Sequence, residues 1–427
     1  MRRFPVLDAF REARFRRVWA AGFVSQLGDW MQIFGRAALA YELTGRAESV
    51  GLVYFASYLP QLLFSVWGGV LADRFSRRHL LVGTQVAEAA GAALFGVLVA
   101  TGSASVANVT VVSFFLGIAF MLSIPAGSAL LPSVVSRDSL SSAISVGNAT
   151  NSLARVFGPL LAAGIISWFG LAWVFWVNAV SFLFVIVAWA TVELPEQPEI
   201  EEEGNMDALR RAVRYVRETP VVAVPIGATA FLMFVGVVYQ PFAIVYATRV
   251  LSDGSTSLGR TYYSWLQAAI GTGAAIGVFA SANVGRRYPA PTFALTAIGF
   301  SLALTLLGQV ESFGVAMAVI LVAGGFHFAN MALGVSLVQH EVPEVLRGRV
   351  MSIHMLGLVG VIPLTALIGG RLVDHFGIRA TFTAAGLSCL AFSLLLLRWR
   401  RHIRLREGEP GTLETRAAVA LLVEEEG

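Results

Sequence analysis

The chain has 427 residues, of which 56% are apolar and only 14% are charged, and its mean hydropathy is +0.71. Soluble domains carry about 25% charged residues, so this composition excludes a soluble enzyme and indicates an integral membrane protein. All 31 basic residues are arginine and the net charge is +4. No basic block is interleaved with aromatic side chains, which argues against a nucleic-acid partner. With a single cysteine, Cys389, an intrachain disulfide is excluded.

Twelve segments are apolar over the roughly 20 residues that a helix needs to cross a bilayer. They are predicted at 17–41, 49–72, 79–101, 106–131, 140–167, 170–192, 222–247, 261–283, 290–309, 313–340, 350–372 and 377–398. Their even number and the arginine-rich connections on one side, such as Arg74 to Arg78, predict cytoplasmic termini by the positive-inside rule. We therefore expect a multi-pass protein of a bacterial cytoplasmic membrane.

The polar segment 193–221 divides the chain into two six-helix bundles, 1–192 and 222–398, followed by a tail, 399–427, that we expect to be disordered. Its part from Met206 to Glu218 predicts an amphipathic helix that lies either at the lipid headgroups or in solvent. The pairs Arg77-Arg78 and Phe169-Gly170 recur as Arg286-Arg287 and Phe376-Gly377 at a near-constant spacing. Two parallel repeats with a site between them are an architecture of secondary transporters.

The connection after the second span reads Gly69-x-x-x-Asp73-Arg74-x-x-Arg77-Arg78. This pattern resembles the signature of the major facilitator superfamily between its helices 2 and 3. Further segments resemble the branch that contains enterobactin exporters and macrolide-efflux-like proteins; they are Phe15 to Trp19, Ser25 to Trp30, Ile124 to Pro132, Ala154 to Pro159 and Leu346 to Val350. The resemblance implies an all-α membrane protein of twelve helices in two pseudo-symmetric bundles that works by alternating access, without enzymatic activity.

Within that family the loop Gly69, Asp73, Arg74, Arg77 and Arg78 implies a cytoplasmic gate, although a generic positive-inside loop has the same composition. Gly158, Pro159 and Gly164 in the fifth span resemble the antiporter motif of exporters, where small residues permit close helix packing. The second copy of the loop signature has Ser281 where the family has an acid, and the fourth span lacks the arginine of many drug–proton antiporters.

Ionisable residues inside a membrane are costly and indicate function. Asp29 lies in the first span, where Ser25, Gln32 and Arg36 share its helical face. Our hypothesis is that Asp29 binds the coupling proton and pairs with Arg155 or Arg36; a purely structural ion pair and a substrate site are the alternatives. Glu88 in the third span is a further coupling candidate, or an acid paired locally with Gln85.

Polar and aromatic side chains on the probable cavity-lining spans are the candidates for substrate binding. These are Gln26, Gln32, Tyr58, Gln61, Asn148, Asn151, Tyr239, Gln240, His327 and Asn330. For His327, a hydrogen-bonded structural histidine is the alternative. No cluster has metal-ligand spacing, and a chain without lysine has no Walker motif, so we expect neither a metal, nor a cofactor, nor ATP hydrolysis.

These features predict a monomeric, proton-coupled exporter of a small amphipathic molecule that is drug-like or siderophore-like. Its expected partners are this substrate, protons and membrane lipids. The alternatives are metabolite uptake or facilitated diffusion, a lipid flippase, and a non-transporting membrane receptor on the same fold.

Overall fold

A computed structural model describes residues 5–74, 76–193, 206–287 and 289–398. Within these ranges the chain forms α-helices joined by short turns, and no strand is present. The helices are α1 (Ala13–Thr44), α2 (Ala47–Arg74), α3 (Arg77–Ala100), α4 (Val106–Val134), α5 (Leu140–Phe169), α6 (Leu171–Thr191), α7 (Met206–Glu218), α8 (Pro220–Gly236), α9 (Ala243–Tyr246), α10 (Thr256–Arg287), α11 (Pro289–Leu307), α12 (Phe313–Glu341), α13 (Glu344–Leu358), α14 (Ile362–Phe376) and α15 (Ile378–Arg398).

Ten segments of the described chain are long and apolar enough to span a membrane. The 32-residue α1 is not among them, because its polar stripe lowers its hydropathy, and neither is the 28-residue α2. Both nevertheless lie antiparallel in the bundle and complete two six-helix halves. The N-terminal half comprises α1 to α6, and the C-terminal half comprises α8 to α15.

Two spans of the C-terminal half are interrupted, which the hydropathy pattern did not predict. The seventh span, Pro220–Leu251, consists of α8, a 3-10 turn, the short α9 and a final π-helical turn. The eleventh span, Glu344–Phe376, is interrupted by a short turn between α13 and α14. At the first break the Thr365 hydroxyl donates to the Phe234 carbonyl at 2.7 Å, so a neighbouring helix satisfies a backbone group freed by the interruption.

The two ends of the bundle are named here by their loops. The Gly45 end carries the α1–α2 and α5–α6 connections, and the Ser76 end carries the α2–α3 and α4–α5 connections, α7 and both ends of the described chain.

The halves meet along two helix pairs, α2 with α14 and α5 with α10. Small residues permit the close approach. A Cβ on Gly51 of α2 would overlap with the Ala366 carbonyl of α14, and a Cβ on Gly271 of α10 would lie 2.9 Å from a methyl of Val156 of α5. Such small-residue contacts are typical of packing between membrane helices.

Beyond these crossings, toward the Ser76 end, α5 and α10 separate. Val278 lies two helical turns beyond Gly271 on the same face of α10, yet it is 38% exposed. Asn148 and Asn151 on the facing part of α5 are also exposed. Among the described residues, the side-chain hydrogen bonds between the halves all lie toward the Gly45 end. The bundle is therefore closed at the Gly45 end and open between its halves at the Ser76 end.

The predicted amphipathic helix is present as α7, but it packs against protein. Ala212 and Tyr215 are buried against Val342 and Leu346 of the C-terminal half, and the Tyr215 hydroxyl donates to the Glu341 carbonyl at 3.3 Å. One face of α7 is therefore used for contacts with the C-terminal half, which neither expectation included, and its position relative to the headgroups stays a prediction. Residues 194–205 and the tail 399–427 lie outside the described residues.

The start of α1 is held to the α4–α5 connection. One carboxylate oxygen of Glu12 accepts hydrogen bonds from the backbone N–H and the hydroxyl of Ser136, both at 2.8 Å. Partial burial favours the protonated acid, but the hydrogen bonds outweigh it and hold the pKa of Glu12 below its ordinary value.

Candidate functional site

A buried polar cluster lies inside the N-terminal half. It consists of Asp29, Gln32 and Arg36 on α1, Glu88 on α3 and Asn178 on α6, and is called the Asp29 cluster below. The Asn178 amide donates to the Gln32 carbonyl oxygen at 2.9 Å and also lies next to the Asp29 carboxylate. Because Asp29, Gln32 and Arg36 share one face of α1, as their spacing predicts, all three take part.

Glu88 belongs to this cluster although the sequence also allowed a purely local role. Its carboxylate accepts a hydrogen bond from the Gln85 amide at 2.7 Å, and it interacts electrostatically with both Asp29 and Arg36. Glu88 is only 7% exposed. The cluster thus holds two carboxylates and one guanidinium inside the helical half, with Glu88 buried and Asp29 and Arg36 partly exposed.

Gly28 makes the contact between α1 and α6 possible. A Cβ at this position would overlap with the Asn178 side-chain oxygen and would lie 2.8 Å from the Ser181 hydroxyl oxygen. That hydroxyl donates to the Asn178 side-chain oxygen at 2.9 Å, which fixes the orientation of the amide toward α1.

Arg155 does not join the Asp29 cluster. Its guanidinium carbon lies 4.9 Å from the ring centre of Trp30 on α1 and 4.2 Å from that of Phe328 on α12. The charged partner of Asp29 is therefore Arg36, and the alternative pairing of Asp29 with Arg155 is corrected. Trp30 is held by a hydrogen bond from its indole N–H to the Asn151 side-chain oxygen at 3.1 Å.

The predicted binding residues of the N-terminal half lie around Arg155 or between it and the Ser76 end. Tyr58 interacts electrostatically with Arg155 and Arg36. Gln26 lies one turn from Trp30 on α1, and Gln61 lies one turn from Tyr58 on α2. The side-chain oxygens of Gln26 and Gln61 are buried without a hydrogen-bond partner among the described residues. Gln32 belongs instead to the Asp29 cluster.

The predicted binding residues of the C-terminal half are mostly buried. Asn330 donates to the Phe293 carbonyl at 2.9 Å and to the Thr296 hydroxyl at 3.1 Å, so its amide is used within the bundle. His327 is 4% exposed and makes edge contacts with Tyr239. Both side chains are thus buried within the bundle in this conformation, and their role in substrate binding stays a prediction. Tyr239 is fully buried and only its neighbour Gln240 is half-buried.

The predicted loop gate falls partly outside the described residues. Gly69, Asp73 and Arg74 belong to a stretch whose side-chain placement is not described, and their gating role stays a prediction. Arg77 begins α3, and the Arg78 guanidinium donates to the Ala190 carbonyl at the end of α6.

The motif on α5 divides into two parts. Gly158 lies against α1, where a Cβ would be 2.6 Å from the Cβ of Trp30 and 3.1 Å from the Leu27 carbonyl oxygen. Pro159 is buried beside it. A Cβ on Gly164 would meet no atom within 4 Å, so that glycine has no comparable packing role in this conformation.

A group of ion pairs at the Gly45 end was missed by the sequence interpretation; two of these pairs, Arg46 with Asp374 and Arg371 with Glu48, join the halves. This group is called the Asp374 cluster and consists of Arg46, Glu48, Arg249, Arg371 and Asp374. Asp374 accepts from the Arg249 guanidinium at 2.9 Å and from the backbone N–H groups of Ala47 and Glu48 at 3.0 and 2.9 Å.

Arg249 also donates to the Gly45 carbonyl at 2.7 Å and the Tyr41 hydroxyl at 3.2 Å. A separate ion pair, Arg260 with Glu42 at 2.8 Å, joins the halves nearby. The signal available in the sequence was the presence of arginines and acids together in the poorly basic connections.

Within the described part of the chain, no group of three or more histidine, cysteine or acidic residues has the arrangement of a metal site. Two repeated helical bundles, one of which holds a cluster of intramembrane charges, and which are joined by ion pairs at the Gly45 end, have the architecture of a secondary transporter. Residues 6–423 match the family described as transmembrane secretion effector, and the chain belongs to this family of the major facilitator superfamily.

Curated relatives of this chain include a transporter, an exporter and a multidrug efflux pump. The staphyloferrin A transporter of Staphylococcus aureus is 24% identical over 91% of this chain and 96% of its own length. The multidrug efflux pump Tap of Mycobacterium tuberculosis is 26% identical over 88% of this chain and 91% of its own. The enterobactin exporter EntS of Escherichia coli is 24% identical over 92% of this chain and 91% of its own length.

Solved structures show the same fold. A bacterial homologue of the lysosomal transporter Spinster covers 92% of this chain and 99% of its own, with a TM-score of 0.68 and 17% identity. A POT family transporter has a TM-score of 0.71 and 13% identity, and the match covers 91% of this chain and 97% of the other. The protein is therefore a multi-pass membrane transporter with the major facilitator fold.

Proposed function

We propose that this transporter exports a small amphipathic molecule from the bacterial cytoplasm in exchange for protons. The Asp29 cluster is the observation that carries the proposal. One guanidinium, that of Arg36, cannot neutralise the carboxylates of both Asp29 and Glu88, so the cluster is neutral only when it also holds one proton. An intramembrane cluster that is one proton short of neutrality suits a coupling site.

The bundle is open at one end and closed at the other, and this supports a mechanism of alternating access. The Ser76 end carries most of the loop arginines and faces the cytoplasm by the positive-inside rule. The conformation is then open to the cytoplasm and closed to the outside by the Asp374 cluster. Gain or loss of a proton at Asp29 or Glu88 changes the electrostatic forces on α1, which contacts both α5 and α6. Because α1 also contributes Trp30 to the interface of the halves, it connects the proton site to the substrate path.

Three lines support export rather than uptake. Gly158-Pro159 follows the antiporter pattern, and two of the relatives named above are an efflux pump and an exporter. The polar path beside Arg155 opens toward the arginine-rich end, where a cytoplasmic substrate would enter.

The test uses purified protein in liposomes that contain a pH-sensitive dye. A proton gradient is imposed, and macrolides, fluorescent cationic drugs and catechol siderophores are added in turn. We expect substrate-dependent proton flux in the native protein, its loss in Asp29→Asn, and a strong reduction in Glu88→Gln. Glu344→Gln is the matched control, because the Glu344 side chain is 91% exposed at the Ser76 end.

Substrate movement without a proton signal would contradict coupling and assign Asp29 a structural role. If no compound moves in the native protein, the exporter proposal gives way to lipid or metabolite transport. An Asp29→Asn protein that keeps full coupled transport removes the cluster from the mechanism.

A further inference from the structure

The environment of Arg155 differs from that of Arg36, the other arginine at this depth of the N-terminal half. Arg36 has the carboxylates of Asp29 and Glu88 in its surroundings and donates to the Ser57 hydroxyl at 3.3 Å. The polar groups that interact electrostatically with Arg155 are instead the phenols of Tyr239 and Tyr58 and the imidazole of His327. Among the described residues, no carboxylate forms an ion pair with Arg155, and its Nε has no hydrogen-bond partner.

An unpaired cation at this depth is costly. Removing a charge from water costs several kcal/mol unless a counter-charge and hydrogen bonds compensate for it. The cation–π contacts with Trp30 and Phe328 offset part of that cost, since each contributes about 0.5–2 kcal/mol. They leave the charge itself without a counter-ion, at the point where the two halves face each other.

The geometry also specifies the shape of a ligand. A guanidinium is planar, and its N–H donors lie in that plane. Trp30 covers one side of Arg155 and Phe328 packs against it from the other half of the protein. The N–H groups at its edge therefore remain for a ligand, and a fork of this kind matches a carboxylate or another planar pair of oxygens.

We propose that Arg155 binds an acidic group of the transported molecule, so that the substrate is an amphipathic anion whose flat apolar part packs on the aromatic side chains of the cavity. This inference rests on the proposed transport function but not on its proton coupling. Trp30 and Tyr58 supply the aromatic contact from the N-terminal half. The unpaired amide oxygens of Gln26 and Gln61 lie nearer the opening and suit donors on the remainder of the molecule.

The alternative is that Arg155 only joins the halves through its two aromatic contacts. Such a structural contact would affect stability and the balance between conformations. It would not make the protein distinguish an acid from its neutral amide, and this difference defines the test.

The probes are dansylglycine, which carries a carboxylate, and dansylglycinamide, its neutral isostere. Binding to the purified full-length protein in detergent is followed by dansyl fluorescence. A charge-assisted hydrogen bond is worth about 1.5–3 kcal/mol, so we expect the acid to bind about tenfold or more tightly than the amide. Dansylcadaverine, a cation, should bind more weakly than both.

Arg155→Gln should bring the ratio of the two affinities close to one, chiefly by weakening the acid. Arg155→Lys keeps the charge but loses the planar fork, and should retain part of the preference. Arg347→Gln removes a half-exposed arginine at the Ser76 end and should leave the ratio unchanged. That control corrects for the general attraction of an anion to a positively charged protein.

Native protein that binds both dansyl compounds equally, or neither, overturns the proposal, and this measurement does not depend on any variant being stable. A ratio that survives in a folded Arg155→Gln protein overturns it as well. The Asp29→Asn protein should keep the native ratio. Loss of proton flux with an intact acid preference therefore separates failure of the coupling proposal from failure of this one.

Discussion

Asp374, in the last turn of α14, accepts hydrogen bonds from the backbone N–H of Ala47, the first residue of α2, and from that of its neighbour Glu48. A side chain of one half thus caps a helix of the other half, where the free N–H groups and the helix dipole favour a negative charge. Arg249 then pairs with the same carboxylate. At the Gly45 end, one acid thus serves a helix terminus and an arginine together, beside the Arg260–Glu42 pair that also joins the halves.

Replacing Asp374 with asparagine should open the Gly45 end. The amide can accept from one backbone N–H, but it leaves the Arg249 guanidinium without its counter-charge. We expect the ratio of open to closed conformations at this end to rise at least tenfold, which corresponds to about 1.4 kcal/mol. The measurement uses spin labels attached to cysteines introduced by Thr44→Cys and Ser257→Cys, in a Cys389→Ser background. Pulsed electron paramagnetic resonance then gives the distance between the halves.

Asp253→Asn is the control for this measurement. It also removes an exposed acid from the Gly45 end, and Asp253 forms no ion pair with another described residue. An Asp374→Asn protein with the distance distribution of the Asp253→Asn protein would mean that the ion pairs do not determine closure.

Gly28 provides a test of the packing around the Asp29 cluster. In Gly28→Ala the new methyl group would overlap with the Asn178 amide, so the amide must give up its present position or α1 and α6 must separate, at a cost of about 1–3 kcal/mol. Thermal unfolding in detergent should show the loss of stability, and proton flux in liposomes should fall with it.

Gly22→Ala lies on the same helix and meets no atom within 4 Å. It should unfold at or above the native temperature, since alanine has the higher helix propensity. Equal behaviour of the two variants would contradict the packing role of Gly28.

The glycines of the α5 motif should differ in the same manner. Gly158→Ala would drive a methyl group against the backbone of α1 at Leu27 and Met31, which a side-chain rotation cannot relieve. We expect reduced stability and weakened binding of dansylglycine, because Trp30 would move relative to Arg155. Gly164→Ala should leave both quantities unchanged in the conformation that is closed at the Gly45 end, and a strong effect there would assign Gly164 to a contact made in another conformation.

The contact between Glu12 and Ser136 should depend on pH. Because the folded protein holds the pKa of Glu12 below its ordinary value of 4.5, the contact is stabilising above that pH. Its contribution is lost as the pH falls through the lower, folded-state value. Hydrogen exchange of the Ser136 amide, corrected for the intrinsic exchange rate, should show protection that decreases in this range. In Glu12→Gln the protection should be lower at pH 7 and should no longer change on acidification.

The sequence predicted those features that depend on composition and local periodicity. The all-helical membrane fold and the shared face of Asp29 and Arg36 follow from patterns within single helices. The membership of Glu88 in the same cluster was only one of two alternatives, because it requires α3 to place its acid toward α1.

Other features depend on which distant segments meet. Asp374 and Ala47 are far apart in the chain, and each occupies an ordinary helix end, so their contact leaves no local pattern. The burial of Asn330 against α11 has the same explanation, since a polar residue in an apolar helix can face a cavity or a neighbouring helix. The breaks in the seventh and eleventh spans were missed because valine, phenylalanine and alanine keep the hydropathy high through them.

Those breaks make the two halves mechanically unequal. Ala13–Thr44 and Pro220–Leu251 occupy equivalent positions in the repeat, yet the first is one continuous helix and the second is interrupted. Likewise, α5 is one continuous helix, whereas the pair α13–α14 at the equivalent position of the other half is interrupted. A continuous helix resists bending, whereas an interrupted one has already given up part of its hydrogen-bond ladder and bends at little further cost. The N-terminal half, which carries Asp29, Arg36, Glu88 and Arg155, can therefore keep its charged groups in fixed register while the C-terminal half deforms around a bound molecule.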